Sequence, residues 1–403
     1  MPDRITLVTA LQGAGWHPAA WRTAGPAAQR LTSLRHWRDV VVEQDRLGVD
    51  AVTIEDSFTA GPVDAAGDLD TSTVVGRLDA LLVANAVAPA TRALGLVPTV
   101  SVTHTEPFHV ATGLQTLDHV SQGRAGWRIQ VSPTPREAAL FGRRPGGDEA
   151  SVLFDEASVL FDEAREVAEV VSRLWDSWDD DAIIRDVATG RFIDRDRIHN
   201  AEFAGSFVSV HGASIVPRSP QGRPPVFSLA HRADAAEFAV DAADVVLVTP
   251  GHEGREARDL LSEIRHLEQE AGSDVRRPVL ADLAVLIGSS SAAATDALAA
   301  LDTAAGAPFA STSDTSVLAT TVPELVTLIG DLRDLGFAGV RLRPLRIPLD
   351  STAISRELVP ALVTAGLRAD VASRPTADLR TRLGIAPAVS RYASASAPVE
   401  VPA

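Results

Sequence analysis

The sequence predicts an α/β protein, a (β/α)8 TIM barrel over residues 1–385 with an insertion between the fourth helix and the fifth strand. Three observations lead there. Eight short runs rich in β-branched residues alternate with longer amphipathic segments, the pattern of a parallel sheet with helical crossovers. One run, Val245–Thr249 (VVLVT), is continuously apolar, as a strand buried on both faces should be. No glycine-rich phosphate fingerprint follows the first run, which removes the main support for an open doubly wound sheet.

The first strand is Ile5–Leu11. In Leu31–Gly48 the residues Leu34, Trp37, Val40, Val41 and Leu47 recur at helical spacing, with Gly48 as the stop. Ala51–Glu55 and Leu94–Val100 are the next strands. Thr105–Gly123 is a helix with Val110, Leu114, Leu117 and Val120 on one stripe. Ala125–Val131, Val226–Ala230, Val245–Thr249, Val279–Ile287 and Gly339–Leu342 complete the eight. Asp176–Pro225, with turn residues around two strand-like pieces (Arg191–Asp194 and Ser206–Val210), is the insertion. Gly288–Val322, rich in Ala, Ser and Thr, reads as a mobile loop with a short helix, of the kind that closes over binding sites. The segment 386–403 reads as a flexible C-terminal tail. Glu149–Asp155 (EASVLFD) recurs at Glu156–Asp162, a local duplication that adds two helical turns with the same face apolar.

With 403 residues, 45% of them hydrophobic, the chain can bury a large core. The absence of cysteine excludes disulfides, thiolate–zinc sites, iron–sulfur clusters and cysteine nucleophiles. The first residues lack the basic start and apolar run of a leader, and no run of 18 apolar residues occurs, so a soluble cytoplasmic protein is expected. A net charge of −16 argues against nucleic acid or an anionic membrane as partner. The scattered histidines give no metal-ligand spacing, and there is no GxSxG nucleophile elbow.

Several blocks carry a resemblance. They are Gly15–Arg22 (GWHPAAWR), Glu106–His109 (EPFH), Leu117–Ser121 (LDHVS), Gly123–Trp127 (GRAGW), Leu174–Ala182 (LWDSWDDDA), Ser219–Pro224 (SPQGRP), Leu358–Gly366 (LVPALVTAG) and Asp378–Gly384 (DLRTRLG). In content and order they resemble the luciferase-like flavin monooxygenases, in the branch of the nitrilotriacetate and dibenzothiophene-sulfone monooxygenases. The resemblance implies a TIM barrel and a reaction of FMNH2 and O2 on a small organic substrate. It also implies a separate flavin reductase and self-association, here expected as a homodimer through apolar faces carrying Trp37, Val41 and Leu81.

Barrel enzymes place their chemistry at the C-terminal ends of the strands. Those ends bring His17, Asp56, His104, His231 and Arg232 to one mouth, each with the plainer alternative of capping a helix or facing solvent. His17 and His104 are the candidate catalytic residues. The resemblance sets Asp56 beside the flavin ring, with an N-cap as its structural alternative. It aligns Val102 and Thr103 with a Thr-rich segment, in which Thr103 keeps a hydroxyl and Val102 has none. Arg128 stands where the family has Asn. Phe161 and Ala157 fall on a phosphate-holding Tyr and a His, and Ala233 and Ala236 on the Ser and Gly of the phosphate loop. Each lost hydrogen bond to a charged group costs roughly 1.5–3 kcal/mol, so FMN is expected to bind weakly. Arg232, just before a helix that begins near Ala233, is the compensating anion site or else a surface salt bridge. The leading expectation is an FMNH2-dependent monooxygenase. The alternatives are a degenerate partner subunit with weak or no FMN binding, and a same-fold oxidoreductase using another cofactor such as a deazaflavin.

Overall fold

The computed structural model describes residues 4–62, 68–142, 157–370 and 377–393. Strands β1 (Thr6–Leu11), β2 (Ala51–Ile54), β3 (Gly95–Ser101) and β4 (Trp127–Gln130) are followed by two small hairpins. The hairpins are β5 (Ile183–Asp186) with β6 (Arg191–Ile193), and β7 (Phe203–Ala204) with β8 (Ser209–Val210). Then come β9 (Val226–Leu229), β10 (Val245–Val248), β11 (Val279–Ile287), β12 (Val317–Thr320) and β13 (Gly339–Pro344). Eight of these form a closed parallel ring in the order β1-β2-β3-β4-β9-β10-β11-β13, and β13 returns to β1 with Gly339 opposite Thr6. They are the eight runs read from the sequence, with ends differing by a residue or two. The hairpins lie in the insertion between the fourth crossover helix and β9.

The helices α1 (Leu34–Leu47), α2 (Ala80–Val87), α3 (Pro107–Ser121), α4 (Pro135–Phe141), α5 (Ala157–Trp175), α6 (Ala233–Ala242), α7 (Ala257–Glu270), α8 (Ser291–Ala305) and α9 (Val322–Leu335) supply the crossovers. Local chemistry sets their ends. Ser33 accepts the Arg35 N–H at the start of α1, and Gly48 at φ +95° ends it in the left-handed conformation that glycine adopts without cost. Thr321 and Glu324 form a capping box on α9. Val8, Val97, Phe227, Leu247 and Leu280 fill the barrel near its base, where Leu379 and Leu383 from the C-terminal segment plug it. The larger apolar layer lies between strands and helices. Among the described residues no helix is long and apolar enough to cross a membrane.

Three expectations need correction. Gly288–Val322 is not a loop: it carries the 15-residue helix α8, capped by Ser290, and strand β12. The helix escapes a periodicity reading because only Ala294 and Leu301 are buried on it, so it shows no apolar stripe. The tail is bound rather than flexible as far as residue 393. Arg218 and Arg223 donate to the carbonyls of Ala388 and Val389, Arg391 pairs with Glu169, and Tyr392 stacks on His199 at 4.1 Å. Trp37 and Val41 are buried in the chain's own core and offer no surface to a partner, while Leu81 is half-buried against it. The first copy of the duplicated heptad lies outside the described residues.

Candidate active site

Toward the mouth, the inward positions of four strands carry charge. On β13, Arg341 and Arg343 alternate with Val340 and Leu342, as pleating requires, and put two guanidinium groups into the lumen. Arg341 donates Nε to Thr53 Oγ1 at 3.0 Å and Nη1 to Asp282 Oδ2 at 2.7 Å, and it also binds Glu55. Arg343 donates Nε to Asp282 Oδ1 at 3.0 Å and pairs with Asp314 through Nη1. Arg128 on β4 donates Nη1 to Glu55 Oε2 at 2.8 Å, Thr99 Oγ1 at 3.1 Å and Gln130 Oε1 at 2.8 Å. The Trp16 ring covers the layer, 4.4 Å from the Arg343 guanidinium carbon. Trp16 is held there by a tight first loop: a Cβ on its neighbour Gly15 (φ +126°) would stand 2.2 Å from the Leu345 carbonyl oxygen.

Five of these charges are buried and Asp314 stands half-exposed at their edge, an arrangement that is tolerable because three cations meet three anions. Burial alone would raise the Glu55 carboxyl, but Arg128, Arg341 and Arg343 hold it below its usual range. Burial is likewise overcome at Asp314, which Arg343 holds down at about 2. Burial, with repulsion from Arg341 and Arg343, draws Arg128 below its ordinary value against the pull of Glu55.

Beside this layer, between β4, β9 and α5, lies a cavity of about 270 Å³. Arg128, His231 and Asp314 line its polar side, and Phe161 and Phe238, with ring centroids 5.4 Å apart, form an aromatic wall. Two buried nitrogens on it have no hydrogen-bond partner, Arg128 Nε and His231 Nδ1. Burial lowers the His231 pKa, so its ring is neutral near pH 7.

The sequence-derived site residues divide between this cavity and other places. Arg128, Phe161 and Arg232 line it. Arg232, however, is bound by Asp234 through two nitrogens, and Ala233 is an exposed first residue of α6. His17 is a loop anchor. Its Nδ1 accepts the Ala19 N–H at 3.1 Å and its Nε2 lies 3.1 Å from Asp302 Oδ1 on α8, which selects the neutral Nε2–H tautomer. His104, at φ +72°, is buried and stacks on Phe141 at 5.4 Å beside a different cavity. Asp56 accepts the N–H groups of Ser57 and Ala80, both at 2.8 Å, and so helps cap α2. Thr103 Oγ1 accepts the Ser132 N–H at 3.0 Å, tying the loops after β3 and β4. Val102 sits in the apolar cluster of Trp127 and Ile129, and Ala236 is buried in the core. Ala157 begins α5, and its side chain lies outside the described residues. Sequence reading did not single out Glu55, Asp282 or Asp314. The signal was present: charged residues at inward positions of β11 and β13, strands otherwise apolar on both faces, demand buried partners.

Barrel, mouth and buried polar layer together define a (β/α)8 protein with its chemistry at the C-terminal strand ends. The profile described as luciferase-like monooxygenase matches residues 14–366, and the chain belongs to that family. It is 30% identical over 287 residues to the N-acetyl-S-(2-succino)cysteine monooxygenase of Bacillus subtilis (strain 168), covering 69% of this chain and 62% of that protein. It is 31% identical over 249 residues to nitrilotriacetate monooxygenase component A of Aminobacter aminovorans, covering 60% of this chain and 53% of that protein. The match thus spans between about half and three fifths of these relatives' lengths. The crystal structure of a long-chain alkane monooxygenase superposes with a TM-score of 0.81 at 21% identity, covering 95% of this chain and 96% of that one, which shows the shared fold.

The residues present fit a reduced flavin in part. The orphaned Arg128 Nε is a donor for the acceptor-rich edge of the ring system, and the Phe161–Phe238 wall suits its apolar face. At the positions that the resemblance sets against the flavin phosphate, Phe161 and Ala233 bring no side-chain donor, and Arg232 is already engaged.

Proposed function

We propose that this chain is an FMNH2-dependent monooxygenase that oxygenates a small organic substrate with O2, as a cytoplasmic homodimer supplied by a separate flavin reductase. Family membership sets the class. The observation that carries the reading is the pair of buried, unpartnered nitrogens, Arg128 Nε and His231 Nδ1, on an aromatic-walled cavity at the barrel mouth. Reduced flavin, when bound, supplies the electrons that activate O2. Arg128 would hold its acceptor edge, kept in place by Glu55 and Gln130. Phe161 and Phe238 exclude water, and neutral His231 offers a ring nitrogen to the bound molecules. The test is an anaerobic titration with FMNH2 followed by oxygen-uptake measurement with candidate substrates. Saturable FMNH2 binding that Arg128→Ala weakens is expected.

The Asp234 clamp on Arg232 favours a second reading, a partner subunit that binds FMN weakly or not at all. Failure of both FMN and FMNH2 to bind would select it. Binding of a deazaflavin in their place would select the other-cofactor reading.

A further inference from the structure

At the opposite end of the barrel from the mouth, where the chain enters β1, β2, β11 and β13, lies a cavity of about 470 Å³. Arg4, Arg265, Arg276, Arg277 and Arg382 line it, and Asp50 is the one acid among the described residues that do so. Most of these side chains are fixed in place. Glu268 on α7 accepts Arg265 Nη1 and the Arg277 backbone N–H, both at 2.8 Å, and Arg277 Nε donates to the Ala243 carbonyl at 2.9 Å. Asp50 is shared between Arg4 and the buried Arg368. Arg276 is exposed and makes no hydrogen bond or ion pair among the described residues. Backbone carbonyls occupy donors of these groups, but they do not cancel charge. Even with Arg382 left aside, five guanidinium groups divide two carboxylates between them. The cavity therefore carries a surplus of more than one positive charge on a chain whose net charge is −16.

We propose that this cavity at the barrel base binds a small phosphate-bearing anion of two or more charges, a diphosphate or a phosphate ester. Three observations converge on that class. The arginines come from four separate segments, the entry to β1, α7, the entry to β11 and the C-terminal segment, so they meet around a concavity instead of forming a solvated stripe along one helix. A concavity lined by one sign of charge concentrates the opposite sign, and guanidinium forks match the oxygens of a phosphate group. The surplus exceeds one unit, which favours a multiply charged anion over a monocarboxylate. The volume falls within the roughly 300–1,000 Å³ of small-molecule sites, and Pro278 and Leu383 give the uncharged part of a ligand an apolar contact. Nothing in this assignment depends on the chemistry of the mouth, so it stands apart from the function proposed above.

The test is a calorimetric titration of the full chain with inorganic pyrophosphate, orthophosphate and acetate at about 0.15 M salt, where weak surface attraction is screened. Pyrophosphate is expected to bind saturably and most tightly, and acetate least. Arg276→Glu, at an exposed position, should weaken pyrophosphate by about tenfold or more, and Arg276→Lys, which keeps the charge without the fork, should lose less. Arg4→Gln, from another wall of the cavity, should weaken it as well, so the assignment does not hang on one substitution. Arg232→Ala, at the mouth, should leave pyrophosphate binding unchanged. Thermal unfolding of each variant without ligand verifies that it folds. Absence of saturable pyrophosphate binding, acetate binding as tight as pyrophosphate, or unchanged affinity in both Arg276→Glu and Arg4→Gln overturns the proposal. Loss of binding in Arg232→Ala would put the anion at the mouth and overturn it too.

Discussion

Asp234 clamps Arg232 across two residues of sequence: its Oδ1 accepts from Nε at 3.1 Å and its Oδ2 from Nη2. The pair sits at the N-terminus of α6 on the rim of the cavity, where an anion would otherwise be held by the cation and the helix end together.

The clamp sets the first prediction. Arg232 is exposed and already neutralised, so Arg232→Ala should change FMN affinity by less than about 1 kcal/mol. Asp234→Asn should strengthen FMN binding and leave riboflavin unchanged, because only FMN carries the phosphate. Parallel fluorescence titrations with the two flavins decide it. A large loss in Arg232→Ala would show that the pair opens when ligand binds.

The buried layer predicts an asymmetry between its acids. Asp282→Ala strands two buried guanidinium groups and should cost about 3–5 kcal/mol of stability. Asp314→Asn, at the half-exposed edge but opposite the buried Arg343, should cost less than that, about 1–2 kcal/mol. Urea unfolding of both variants reads the contrast directly, and equal costs would contradict the description of the layer.

Acid stability follows from His17 and His231. Burial lowers both pKa values from 6.5. The fold therefore resists protonation that the unfolded chain accepts. Their contribution is complete above about pH 6.5 and is lost as pH falls below it. His17→Gln should flatten the decline in unfolding free energy between pH 7.5 and 5.5. A variant whose pH dependence matches the wild type would rule out His17 as one of the groups responsible.

The docked tail predicts a stability cost for truncation. Stopping the chain after Pro387 removes the carbonyls that Arg218 and Arg223 bind, the Arg391 pairs with Glu169 and Asp176, and the Tyr392–His199 stack. It should lower stability by about 1–3 kcal/mol, since Asp176 is fully buried and loses one of its cations. Thermal unfolding of the truncated chain checks this.

The barrel strands were legible because each is a short β-branched run whose pattern shows in one dimension. β12 was not: VLAT is four residues among Ser and Thr, and only the free edge of β11 makes it a strand. Of the residues that line the candidate cavity, the resemblance had pointed to Arg128, Phe161 and Arg232. The site was opaque where pairing is set by ring closure. Arg341 is 59 residues from Asp282 and 286 from Glu55, separations that no local pattern reports. Asp56 and Thr103 show the converse. Their types suit a ligand, and the backbone N–H groups that engage them become visible only when the loops are in place.

β10 bonds to β11 only along Val279–Ala281, and β12 takes over along Ala284–Ile287, with Asp282 standing at the hand-over. An eight-stranded cylinder has a bore just wide enough for its own side chains. A ninth strand, β12, is added at one end and bonds to β11 alone, so the wall there continues past the point where β10 leaves it. The apolar plug occupies the base, and the guanidinium groups begin where Arg341 stands opposite Asp282, at the hand-over itself. Shortening β12, or breaking its pairing with a proline at Leu318, should therefore loosen the mouth end of β11 and with it the hold of Asp282 on Arg341 and Arg343, so that the polar lumen depends on a strand that is no part of the ring as much as on the residues that face it.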